Sequence, residues 1–222
     1  KDFLAEKYGY LSMDYKELCH IMQNSMDYAN YIDITKTLDI TDYYKTDTHW
    51  RQEKLPETAA VLAESMGASI SGNYTEYALD LPFYGVYYGQ SALPLPPETL
   101  YYLSNDALDD CIVTNHEDQT VGGIYNIEKK YGKDPYEIFL SGPCSLITIE
   151  NPNYKSDREL IIFRDSFGSS IAPLLAEGYA KITLVDIRYL RADLLDRFIE
   201  FKHQDVLFLY STSVLNHSET LT

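Results

Sequence analysis

Residues 160–175 read Leu-Ile-Ile-Phe-Arg-Asp-Ser-Phe-Gly-Ser-Ser-Ile-Ala-Pro-Leu-Leu. The run Leu160-Ile161-Ile162-Phe163 is continuously apolar, and Arg164-Asp165-Ser166-Phe167-Gly168 breaks it. A short apolar run bounded by turn residues fits a strand buried on both faces. Ile171, Leu174 and Leu175 follow as a short helix that Gly178 closes. Ile182–Val185 then reads as a second buried strand, Leu194 to Phe201 as a helix, and Val206 to Tyr210 as a last strand. Strand–helix–strand–helix–strand at this spacing predicts right-handed crossovers and an α/β fold with a mostly parallel sheet covered on both faces. Sites in such sheets form at the carboxyl ends of strands. Ser166 stands at one.

Upstream the reading is coarser. Residues 12–26 read as a helix capped by Ser12, and Tyr31-Ile32-Asp33-Ile34-Thr35 alternates as a strand does. A polar segment, Thr41 to Arg51, leads to a helix that opens at Pro56 and ends at Gly67. Between Ala68 and Pro143 lie six of the nine prolines and many tyrosines. No long helical stripe survives those prolines, so 68–143 is expected to be a β-rich or irregular insertion within a single domain spanning 1–222. Insertions of this kind often form the wall that faces substrate.

Composition narrows the function. The 222 residues are 45 % hydrophobic and 23 % charged, enough for a sizeable core. The net charge of −16 repels phosphate backbones, which argues against a nucleic-acid partner. No apolar run approaches the ~20 residues that span a bilayer. The chain opens at Lys1-Asp2-Phe3 with no signal peptide, as a trimmed or mature fragment would. Cys19, Cys111 and Cys144 are too few and scattered for a disulfide scaffold or a zinc finger. The 21 tyrosines offer flat apolar faces with polar tips, suited to a wet sugar-binding surface and equally to half-buried strand positions.

Ser166 needs a base, since a free hydroxyl is a poor nucleophile at neutral pH. His49 is the best candidate, with Asp47 two residues away to orient the ring. An extended Asp-x-His would place both side chains on one side of the chain. No second histidine stands near His49 at ligand spacing, so neither a metal nor another cofactor is expected. Cys144 has no adjacent base and reads as a buried strand thiol. His20, His116, His203 and His217 read as ordinary surface or core residues.

Two blocks of this sequence resemble a known family. Asp42-Tyr43-Tyr44-Lys45-Thr46-Asp47-Thr48-His49-Trp50 is similar to the signature of the bacterial DHHW family, usually Tyr-Tyr-x-Thr-Asp-His-His-Trp. Phe163–Ser170, Ala172–Glu177, Val185–Tyr189 and Leu215-Asn216 match in the same order. That family is similar to the SGNH-hydrolase-like proteins of alginate O-acetylation, which pair Asp-x-His with a later serine. Thr48 replaces the family's first histidine, and Arg164 stands where SGNH enzymes have the glycine of Gly-Asp-Ser. No Gly-x-Asn-Asp block is present; Ser141-Gly142-Pro143 lacks the oxyanion asparagine.

The resemblance implies a three-layer α/β/α sandwich of the SGNH-hydrolase or flavodoxin-like kind and an extracytoplasmic location, secreted or membrane-anchored. It implies acyl transfer or ester hydrolysis on a cell-envelope glycan, with Asp47, His49 and Ser166 as the triad. Gly142 and Ser166 N–H groups are expected to face the oxyanion. Arg164 and Arg188 are expected beside the substrate, Arg188 holding an anionic group or forming a salt bridge. The expected partners are a carbohydrate or acyl-ester substrate and, for transfer, a membrane acyl-donor partner. The competing expectation is a catalytically degenerate glycan- or partner-binding protein of the cell envelope.

Overall fold

The structure, a computed structural model, describes residues 7–9, 13–92 and 94–217. The chain forms two compact units, residues 1–33 and 34–222. The first contains helix α1 (Tyr15–Ser25), capped by the Asp14 side chain on Glu17 N. Ser12, the expected cap, lies outside the described residues. Residues 31–34 lack regular structure and Thr35 enters a turn, so the expected strand is absent there.

The second unit carries the site. It begins with loops and then α2 (Pro56–Ser65), where Pro56 occupies the first turn and Thr58, Ala59, Leu62 and Ala63 form the buried face. Strand β1 (Thr75–Phe83), the short helix α3 (Val86–Ser91) and β2 (Glu98–Ser104) follow. After the single turn α4 (Asp106–Asp109) come β3 (Ile112–Asn115), β4 (Val121–Gly122) and β5 (Leu146–Glu150). The chain closes with β6 (Glu159–Arg164), α5 (Gly168–Leu175), β7 (Lys181–Val185), β8 (Asp205–Leu209) and the turn α6 (Thr212–Leu215).

β1 and β2 pair antiparallel in a two-stranded sheet of their own. The other six strands form one sheet in the order β4-β3-β5-β7-β6-β8. β7, β6 and β8 are parallel neighbours, as the C-terminal pattern predicts. β5 runs antiparallel to both β7 and β3, and β4 antiparallel to β3, so four of the six strands point the same way. The 68–143 stretch thus divides: its first part builds the small sheet, and 112–122 extends the main one.

Alternation along the strands assigns the layers. Arg164 reaches under Gly168, where an added Cβ would lie 2.7 Å from the Arg164 Cβ. That close approach requires glycine at the start of α5, and it puts residues 160, 162 and 164 on the α5 face; α2 packs against α5. Ile161, Phe163, Val185 and Leu146 point the other way, against Leu190, Leu195 and Ile199. The cover there is a 3-10 segment, Ala192–Arg197, in place of the expected helix over Leu194–Phe201. Phe198 and Phe201, which contribute to the apparent helical stripe, are exposed, so only Leu195 and Ile199 of that stretch pack against the sheet.

A second core joins the small sheet to the site loops. Tyr44, Leu79, Phe83, Leu100, Tyr136, Ile138 and Phe139 pack together there. Tyr44 leads directly into the Asp47–His49 loop, so this core positions one side of the site.

Candidate active site

A bridge between Tyr43 and Trp50, with Tyr44 N–H donating to the His49 carbonyl at 3.1 Å, closes the loop that carries Asp47 and His49. Within it, Asp47 Oδ1 accepts the His49 backbone N–H at 2.9 Å and lies 2.6 Å from His49 Nδ1. The two side chains therefore meet through an Asx turn and not through an extended Asp-x-His. The carboxylate folds back on the backbone and meets the ring at its Nδ1 edge.

The second Asp47 oxygen accepts Val86 N–H at 2.9 Å. Thr46 is pinned as well: its N–H and Oγ1 both donate to Glu98 Oε2 at 2.8 Å, and its carbonyl accepts Tyr87 N–H at 2.9 Å. These bonds need the chain at Gly85 pressed against the loop. A Cβ there would lie 2.3 Å from the Thr46 carbonyl oxygen. Burial pushes the Asp47 carboxyl up, but hydrogen bonding and charge from His49 and the two backbone N–H groups outweigh it. The net shift is downward.

Ser166 sits just past the end of β6, with Oγ 2.8 Å from His49 Nε2. Asp165 fixes this turn: Oδ1 accepts Phe167 N–H at 3.0 Å and Oδ2 accepts Ser211 N–H at 2.7 Å. With Nδ1 facing a carboxylate, the ring keeps its proton there and offers the Nε2 lone pair to the serine.

Two residues without an expected role hold His49 in place. Tyr136 stacks on its ring at 4.1 Å between centroids and 12° between planes. Ser170 Oγ accepts both the Tyr136 hydroxyl and Trp50 Nε1–H, each at 2.7 Å. Gln52 donates to the Ser170 carbonyl at 2.7 Å and accepts Leu103 N–H at 2.7 Å. One residue of α5 thus anchors the loop and the ring packed on its histidine. Ser170 lies in the quoted block Phe163–Ser170, but nothing in the sequence ties it to Trp50, 120 positions away.

Ser166 and His49 open into a cavity of about 160 Å³, lined also by Asp134, Glu137, Ser169 and Tyr189. Ser166 N–H makes no hydrogen bond among the described residues and is available to an oxyanion. Gly142 lines the cavity, but its N–H donates to the Phe139 carbonyl at 3.2 Å, so the donor expected there is engaged. Arg164 is 1 % exposed and forms the floor, donating to the Cys144 carbonyl at 3.2 Å and to Ser169 Oγ at 3.3 Å. Its Nε has no partner, and Asp186 lies 4.0 Å from Nη1. Arg188 grips Asp186 through Nε at 2.9 Å and Nη2 at 2.6 Å, the salt-bridge outcome. Among the described residues no cluster of His, Cys, Asp and Glu could hold a metal ion, and no helix is long and apolar enough to cross a membrane.

No family model and no curated protein matches this chain. Among solved structures it is similar to a DHHW family protein from Eubacterium siraeum DSM 15702, with a TM-score of 0.74 and 22 % identity over 98 % of this chain and 76 % of that one. It is also similar to Bacillus cereus PatB1 carrying a sulfonyl adduct (TM-score 0.57, 22 % identity, 78 % of this chain) and to PatB1 without it (0.56, 20 %, 78 %). The chain spans 62 % and 63 % of those PatB1 chains, under two thirds of their length. The α/β fold expected from the C-terminal pattern is shared with all three.

Ser170→Ala should leave the Trp50 N–H and the Tyr136 hydroxyl buried without an acceptor. The expected loss is about 2–6 kcal/mol in urea denaturation, at ~1–3 kcal/mol for each of the two orphaned groups. A variant as stable as the parent would contradict the anchor. Asp47 yields a pH prediction. Its folded pKa lies below the unfolded value, so its contribution is present above about pH 4 and is lost as pH falls through the folded value. Asp47→Asn should be less stable than the parent at pH 6, and the gap should narrow toward pH 3. A gap that stays constant would show that the ionised carboxylate does not stabilise the fold.

Proposed function

We propose that this protein is a serine-dependent O-acyl esterase or O-acetyltransferase of the DHHW kind, acting on a cell-envelope or extracellular polysaccharide outside the cytoplasm. The observation that carries this reading is the continuous line Asp47 Oδ1–His49 Nδ1–His49 Nε2–Ser166 Oγ, with spacings of 2.6 and 2.8 Å. Its position at the carboxyl end of a central strand and the fold likeness to a DHHW family protein support the same reading.

In this reaction Ser166 Oγ attacks the carbonyl carbon of an acyl ester while His49 Nε2 takes the hydroxyl proton. The negative charge on the carbonyl oxygen is met by Ser166 N–H. The Ser169 hydroxyl is the second donor: Arg164 already donates to its oxygen, so its proton is free to turn toward the cavity. As the intermediate collapses, the ester C–O bond breaks and the departing alcohol takes the proton from His49. The acyl group remains on Ser166 until water or a sugar hydroxyl removes it. A cavity of about 160 Å³ suits a short acyl group such as acetyl.

One observation favours the rival reading, a binding protein with a degenerate site. Gly142 N–H, the donor expected at the oxyanion, is already bonded to Phe139. Turnover of 4-nitrophenyl acetate separates the two. The parent should show a burst and steady release, while Ser166→Ala and His49→Ala should each lower kcat by at least about 10³-fold, with the double variant no worse than either. Parent-like turnover in both single variants would favour the binding protein.

A further inference from the structure

We infer that the turn bearing Tyr136 is the acceptor wall of the cavity, where the carboxylates of Asp134 and Glu137 receive the hydroxyls of a neutral sugar. This inference rests on the acyl-transfer reading above. Asp134 caps the 3-10 turn Pro135–Ile138, whose Tyr136 stacks on the base, and Asp134 and Glu137 both line the cavity beside His49 and Ser166. One Asp134 oxygen accepts Tyr136 N–H at 2.9 Å, which fixes the carboxylate. Its other oxygen has no partner among the described residues. Glu137 pairs with Lys129 through Oε2 at 3.2 Å, leaving Oε1 open, and its stem packs under Gly142.

The cations of the cavity are differently placed. Arg188 spends Nε and Nη2 on Asp186, and Arg164 is buried against Cys144 and Ser169. The open polar atoms lining the cavity therefore include two carboxylate oxygens, Asp134 Oδ2 and Glu137 Oε1, beside Arg188 Nη1 and the Ser169 hydroxyl, in a chain of net charge −16. A uronate would bring its own charge against the two carboxylates, whereas a neutral polyol donates hydrogen bonds to them. Tyr189, 60 % exposed, adds an aromatic face at the cavity rim.

The acyl group on Ser166 then has two fates. In transfer, the acceptor hydroxyl oxygen bonds to the acyl carbon and its proton passes to His49 Nε2. The bond from that carbon to Ser166 Oγ breaks, and Oγ recovers the proton from His49. Asp134 takes no proton. It is a positioning residue that holds a neighbouring hydroxyl so that the sugar reaches the acyl carbon before water does.

The test uses 4-nitrophenyl acetate as donor, with cellotriose or a uronic-acid trimer as acceptor, and reads the ratio of sugar ester to free acetate. This ratio is set after the acyl-enzyme has formed, so a slower acylation in a variant cancels. The parent should transfer to cellotriose in preference to the uronate. Asp134→Asn, which keeps the cap on Tyr136 N–H, and Glu137→Gln should each lower the cellotriose ratio by about tenfold and raise the uronate ratio. A structural defect would not move the two in opposite directions. A parent that gives the 4-nitrophenol burst but only free acetate, or variants with unchanged ratios, would overturn this proposal alone. Absence of a burst in the parent would overturn the serine reading beneath it.

Discussion

The buried carboxylate of Asp47 is the constraint on which the site depends. It takes the backbone N–H and the ring Nδ1 of His49 on one oxygen and Val86 N–H on the other. A carboxylate that is only 2 % exposed is costly unless its acceptor capacity is met, and here three donors meet it. The loop conformation, the ring orientation and the position of Gly85 follow together from that requirement. Loss of one donor disturbs the other two, because all three converge on one carboxylate.

Ser170 plays the matching part on the sheet side. Its hydroxyl gathers Trp50 from the loop and Tyr136 from the second core, and its own helix starts two residues after Ser166. Ser166 and His49 are thus held by two bodies of packing, the sheet with α5 and the core around Tyr44 and Phe139, that meet at one side chain. Such a supporting shell sets the 2.8 Å approach of Oγ to Nε2. Trp50 of the DHHW-like block therefore clamps the loop to α5.

The C-terminal strands were legible because burial on both faces leaves continuous apolar runs, as in Leu160–Phe163 and Ile182–Val185. β3 and β5 were not: their antiparallel pairing is a choice of neighbour, and no local pattern in Ile112–Asn115 or Leu146–Glu150 specifies it. The pattern over Leu194–Phe201 does not specify a helix because hydrophobicity is not burial: Phe198 and Phe201 face solvent. At the site, residue chemistry singled out Asp47, His49 and Ser166, but not the Asx turn that joins the first two. Tyr136 and Ser170 were invisible for another reason. Their roles exist only across long sequence separations; the sequence likewise does not show that Gly142 N–H is bonded to Phe139, or which carboxylate, Asp186, takes the Arg188 salt bridge.

The central claim is that Ser166 is a nucleophile activated by His49. Treatment with an aryl sulfonyl fluoride, followed by intact mass and peptide mapping, tests it without reference to any substrate. The account predicts one sulfonyl group per chain, located on Ser166, and its loss in His49→Ala. No adduct, or one on a tyrosine with Ser166 unmodified, would contradict it.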